Sequence, residues 1–147
     1  MTTTTTDAVI NAIGAALVAY AGISENSIYY QQDPITSPYD TETIFVNQGD
    51  ITKKRLLQDL YELNHNIEVV AWTANDAREV SEVPQTLRTL LNTLLGKVNL
   101  ALNTSPSFGG LVRFSETYSV LTDGGFYAEA GKAVAKVYLR TLYYTVN

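Results

Sequence analysis

Residues 61–72, YELNHNIEVVAW, decide the fold. Tyr61, Leu63, His65, Ile67, Val69 and Ala71 fall on one side of an extended chain, and Glu62, Asn64, Asn66 and Glu68 fall on the other. Successive side chains of a strand point to opposite faces, so this alternation predicts a long strand with one packed face and one wet face. Val70 and Trp72 interrupt the polar side near the strand's end. The expectation is that something beyond the strand, such as a neighbouring subunit, covers that end.

A strand with one dry face needs a cover. Downstream, Val83, Leu87, Leu90, Leu91, Leu94, Leu95, Val98 and Leu102 recur at spacings of one, three and four. That period predicts a helix with one broad apolar face, capped by Ser81 and carrying Pro84 in its first turn. Upstream, Val9, Ile10, Ile13, Leu17 and Tyr20 predict a helix over residues 7–20, capped by Thr6 or Asp7 and ended by Gly22. Gly14 lowers helix propensity by ~1 kcal/mol and permits close approach of another backbone. The threonine run over residues 1–6 offers little to bury and reads as a flexible tail.

The remaining segments read as strands and turns. Residues 27–31, SIYYQ, and 43–47, TIFVN, are short strands. Gly49-Asp50 ends the second, and the proline-bearing stretch 33–40 is a loop. Leu56, Leu57 and Leu60 suggest that the segment before the organising strand is partly packed. Residues 111–120 alternate, with Val112, Phe114, Tyr118 and Val120 expected inward and Glu116 spoiling the pattern. The turn TDGG at 122–125 then leads to a long final strand over 131–146, antiparallel to the preceding one. Val137, Leu139, Thr141 and Tyr143 share one of its faces, and Lys136, Tyr138, Arg140, Leu142 and Tyr144 share the other. Apolar groups on both faces point to a second face that meets another subunit. The sum is an α+β fold: a single mixed, largely antiparallel β-sheet of four to five strands packed against two helices, in one domain over residues 7–147.

Composition narrows the chemistry. A chain of 147 residues buries about 68–70% of its unfolded surface and folds without metal or disulfide. There is no cysteine, which excludes disulfides, thiolate catalysis and thiolate metal sites. The net charge of -5 disfavours long-range attraction to nucleic acid or to an anionic membrane. No apolar run approaches the ~20 residues of a membrane span, and the start lacks the pattern of a secretory signal. The expectation is a protein acting inside a cell or within a particle assembled there.

No specific catalytic constellation is present. The one histidine, His65, alternates with Leu63 and Ile67 and reads as a core or interface residue. The glycine pairs at 109–110 and 124–125 fall far short of a phosphate loop. Asp33, Asp40, Glu42 and Asp50 lie in or beside loops without the spacing of a calcium site. The one dense basic cluster is Lys53-Lys54-Arg55, either a contact to a phosphate or acidic partner or a solvated strand edge. Ten tyrosines and one tryptophan suit contact surfaces, where a ring packs while its polar end stays hydrogen-bonded.

The order of these segments resembles the tail terminator (tail completion) family of long-tailed bacteriophages and prophages. The resemblance is carried by the helix DAVINAIGAALVAY, then SIYYQQDPITSPYD, TIFVN and ELNHNIEVVAW, the second helix EVPQTLRTLLNTLLGKVNLAL, and the strands LVRFSETYSV and KVYLRTLYYTV. It lies in layout and covers nearly the whole chain, from Asp7 to Val146. It implies a virion structural protein with no catalytic residues, cofactor or metal. Copies would form a hexameric ring on the head-proximal end of the tail tube, stopping polymerisation and presenting the joining surface for the head. The implied partners are further copies of the chain, the tail tube protein and a head-completion or connector protein, with DNA passing through the central channel without specific binding. Contact residues expected on this reading are Lys53, Lys54, Arg55, Tyr39, Tyr138, Arg140 and Tyr144. Other readings are a neck, head-completion or minor tail protein acting as an adaptor, and a small metal-dependent enzyme built on the acidic loops.

Overall fold

A computed structural model describes residues 4–30, 42–74, 83–121, 126–127 and 132–146. The elements in order are α1 (Thr6–Ala21), a 3-10 turn (Glu25–Ser27), β1 (Ile28–Tyr30), β2 (Glu42–Arg55), β3 (Leu60–Ala74), α2 (Val83–Thr104), β4 (Phe114–Leu121), β5 (Phe126–Tyr127) and β6 (Lys132–Val146). The expected loop at 33–40, the Ser81 cap and the turn at 122–125 lie outside the described residues.

The sheet runs β1-β2-β3-β6-β4, with the two-residue β5 also paired to β6. Only β1 with β2 is parallel; the other pairings are antiparallel. The fold is therefore α+β, with a mixed, largely antiparallel sheet packed against two helices. β3 is the central strand, paired with β2 on one side and with β6 along its whole length on the other.

The alternation in β3 is realised from Leu63 onward, while Tyr61, read on the dry side, is half-buried. Leu63, His65, Ile67, Val69 and Ala71 are buried, and Glu62, Asn64, Asn66 and Glu68 are half-buried on the opposite face. The β6 partners Tyr143, Thr141, Leu139, Val137 and Ala135 continue the dry face in register. Both helices lie over this face. From α2 come Leu91, Leu94, Leu95, Val98 and Leu102, and from α1 come Val9, Ile10, Ile13 and Leu17. Side chains of this size contribute roughly 1.5–3 kcal/mol each when buried.

Val70 and Trp72 differ from expectation. They are buried within the single chain, in a second small cluster with Phe45 and Val134 and with Tyr29 packed beside it. Phe45 pairs with Val70 and Val134 with Trp72 across adjacent strands, so these side chains form one patch on the same face. No neighbouring subunit is needed there.

Other local readings shift for identifiable reasons. The α1 cap is Thr5, whose side chain accepts from the Ala8 amide, in place of Thr6 or Asp7. Thr4 is buried, its amide donating to the Tyr144 carbonyl at 3.1 Å and its hydroxyl to the Leu111 carbonyl at 2.8 Å. The flexible tail expected through Thr6 therefore does not reach that far. Gly22 does end α1, at φ 68°. Gly14 admits the Tyr30 side chain in place of a backbone, with that hydroxyl 2.0 Å from where a β-carbon would stand.

β2 does not stop at Gly49-Asp50. It continues to Arg55 through a register shift between Gln48 and Ile51. A strand whose pairing is secure on both sides of a glycine absorbs the extra residue as a bulge. A β-carbon at Gly49 would lie 2.8 Å from the Asn66 carbonyl oxygen.

β4 departs most from expectation. Phe114 and Glu116 pair with Leu142 and Arg140, so they stand on the face away from the helices. A register shift between Thr117 and Ser119 leaves Tyr118 as the extra residue. Phe114, Tyr118 and Val120 are exposed. This is an edge strand, where neither face has a full set of neighbours to bury it.

Candidate interaction surface

The helices cover one face of the sheet; on the other, Glu62, Asn64, Asn66, Glu68, Tyr138 and Leu142 are half-buried and Phe114 and Tyr118 are exposed. Cross-strand register sets the rows of this open face. Glu62 and Tyr144 form one with Lys54; Asn64, Leu142 and Phe114 form the next; Arg140 and Glu116 follow with Asn66; Glu68, Tyr138 and Ser119 come after.

Two ion pairs match charges on this face. Arg140 is ion-paired with Glu116, and Lys136 Nζ lies 3.8 Å from Glu68. Arg113 donates to the Tyr144 hydroxyl and sits over that ring, 5.7 Å from its centroid. The Tyr118 and Tyr138 rings lie 6.2 Å apart at 34°. Exposed ion pairs contribute about 0–1 kcal/mol to stability, so their main effect is to leave a nearly neutral surface studded with aromatics. Phosphate binding needs cations that are not already matched; this face suits protein contact better.

Of the residues expected to make contacts, Tyr138, Arg140 and Tyr144 come together on this face. Tyr39 lies outside the described residues. Lys53, Lys54 and Arg55 are exposed, but they do not act as one patch, because strand geometry turns alternate residues to opposite sides. Lys54 shares the open face with Glu62 and Tyr144. Lys53 lies over the Tyr61 ring at 4.9 Å on the helix side. Arg55 closes the β2–β3 turn, its guanidinium donating to the Leu57 carbonyl at 3.4 Å and the Gln58 carbonyl at 3.0 Å.

That turn overturns the expectation of a packed Leu56 and Leu57. They are 39% and 68% exposed at the tip of the hairpin. The reading of residues also missed Phe114, Glu116 and Tyr118 as open-face groups. The signal was present: Glu116, which spoiled an inward pattern, stands outward opposite Arg140.

A second feature lies at the far end of β2. A groove of about 440 Å³ is bounded by Gly14, Ala15 and Val18 of α1, with Glu25, Ile28 and Tyr30. Burial, then the nearby Glu25 carboxylate, pushes the Tyr30 hydroxyl above its ordinary pKa.

The one histidine is enclosed. His65 is fully buried, and its Nδ1 is 3.0 Å from the Tyr143 hydroxyl. Burial lowers the imidazole pKa and pushes the Tyr143 hydroxyl up to about 12. Both groups are held neutral in the core, where they brace β3 against β6. Of the acidic residues in or beside loops, Glu42 is paired with Lys97 of α2 at 2.8 Å, and Asp33 and Asp40 lie outside the described residues. Among the described residues no three histidine, aspartate or glutamate side chains are placed to hold a metal ion. No described helix is long and apolar enough to cross a membrane. Compared with protein-family models and with curated proteins, the chain matches none.

Proposed function

We propose that the protein is a structural component of a phage tail, a ring-forming terminator that caps the head-proximal end of the tail tube. The observation that carries this reading is the sheet face turned away from the helices, where the exposed Phe114 and Tyr118 and the half-buried Tyr138 and Leu142 stand among ion-paired charges. Such a surface gains by covering aromatic area without the cost of stripping water from unpaired ions. The burial of His65 and Tyr143 is consistent with a structural role for the only imidazole. In this reading copies of the chain close into a ring through their own contacts. The remaining surfaces meet the tube protein below and a head-completion or connector protein above, and the net charge of -5 disfavours DNA sticking in the channel.

Negative-stain imaging of the pure protein, alone and with tail tubes, tests the proposal. The expected result is end-on rings and a cap of density at one tube end. Tubes with two bare ends that continue to lengthen in the presence of the protein would contradict it.

A further inference from the structure

The two ends of β2 carry complementary features. At one end is the hairpin tip, where Leu56 and Leu57 are exposed in the turn that also carries Gln58 and Asp59, with Lys53, Lys54 and Arg55 just before it. At the other is the groove of Gly14, Ala15, Val18, Glu25, Ile28 and Tyr30. β1 pairs with Ile44 to Val46 beside the groove, and Arg55 lies nine residues further on, about 30 Å at ~3.3 Å per residue. The tip therefore cannot reach its own groove.

Charge follows the same division. Before Lys53 the sequence contains Asp7, Glu25, Asp33, Asp40, Glu42 and Asp50, and no lysine, arginine or histidine. Asp7 lies on α1 with Ala15 and Val18 at helical spacing, so the groove has carboxylates toward both ends. The first basic residues in the chain are those of the tip.

We propose that the leucine tip of one copy seats in the α1 groove of the next, with Lys53 and Lys54, on opposite faces of the hairpin, toward the carboxylates at the groove's two ends. The occupant is a second copy of this chain. Because tip and groove are different patches, the contact is head-to-tail, the kind that generates a ring when its rotation closes. Leu57, the more exposed of the two leucines, is the anchor. This inference rests on the self-associating reading above and names its lateral contact.

Sedimentation velocity over a concentration series tests it, using the full chain with Leu57→Asp and, separately, Glu25→Lys. Both positions are exposed, so thermal unfolding of each variant should match wild type and serves as the folding control. Each variant alone should need at least ~10-fold more protein than wild type to associate, one kcal-scale contact's worth. An equimolar mixture should recover pairing but stop at dimers, because one intact tip and one intact groove remain. If wild type associates and Leu57→Asp associates equally well, the tip-in-groove contact is wrong while self-assembly stands. If wild type stays monomeric throughout, the self-associating reading fails and this contact with it.

Discussion

Leu94→Ala tests whether the α2 stripe holds the sheet's dry face. Leu94 is fully buried between α2 and the sheet, among Leu91, Leu95 and Val98. Removing three side-chain carbons there costs their transfer free energy and leaves a cavity that rigid strands only partly close, for a loss of about 2–5 kcal/mol. Leu100, six residues on in the same helix, is 59% exposed. Leu100→Ala should therefore change stability by no more than about 0.5 kcal/mol. Alanine is at least as good a helix former as leucine, so propensity cannot produce the difference. Urea unfolding reads both variants directly: the midpoint should fall for Leu94→Ala with an unchanged slope and stay put for Leu100→Ala. Equal losses in the two variants, or none at Leu94, would refute the placement of α2 on the sheet.

Three further outcomes follow from particular side chains. Because burial depresses the His65 pKa, both folded and unfolded chains carry it neutral above about pH 6.5, where its contribution is fully present; below that the unfolded chain takes the proton first, and stability falls by up to ~1.4 kcal/mol per pH unit until the folded pKa is reached. Urea unfolding at about pH 7.5 and about pH 5.5 should show a steeper acid loss for wild type than for His65→Gln, and parallel losses would contradict this. Gly22→Ala places a β-carbon at φ 68° and should cost about 1–2 kcal/mol in thermal unfolding. Glu116→Gln breaks an exposed pair with Arg140 and should cost no more than about 1 kcal/mol by the same measurement.

Periodic segments were legible in the sequence because their burial is set by their own repeat. β3 and α2 each carry an apolar spacing that only one secondary structure satisfies, β6 is settled by the aromatic and β-branched content of its second half, and apart from the half-buried Tyr61 the side chains read as dry on β3 and β6 are buried. Segments decided by neighbours were not. Gly49-Asp50 is a turn signal locally, but pairing with β3 on both sides converts it into a bulge. Val70 and Trp72 looked uncovered because their partners Phe45 and Val134 come from other strands. β4 alternates well enough to suggest a dry side, yet its edge position and the extra residue at Tyr118 decide which side each group takes. Leucines normally signal burial, so Leu56 and Leu57 were misplaced by the rule that makes them informative at the hairpin tip. The open face was half legible: Tyr138, Arg140 and Tyr144 follow from the β6 alternation, whereas Glu116 needed the β4 register.

Native mass spectrometry of the full-length chain at rising concentration bears most directly on self-closure. The account predicts ions of the 16.2 kDa chain giving way to one closed multiple, a hexamer, without a ladder of open intermediates. A spectrum that keeps the single-chain mass at every concentration, or that shows an unbounded series of chain lengths, contradicts it.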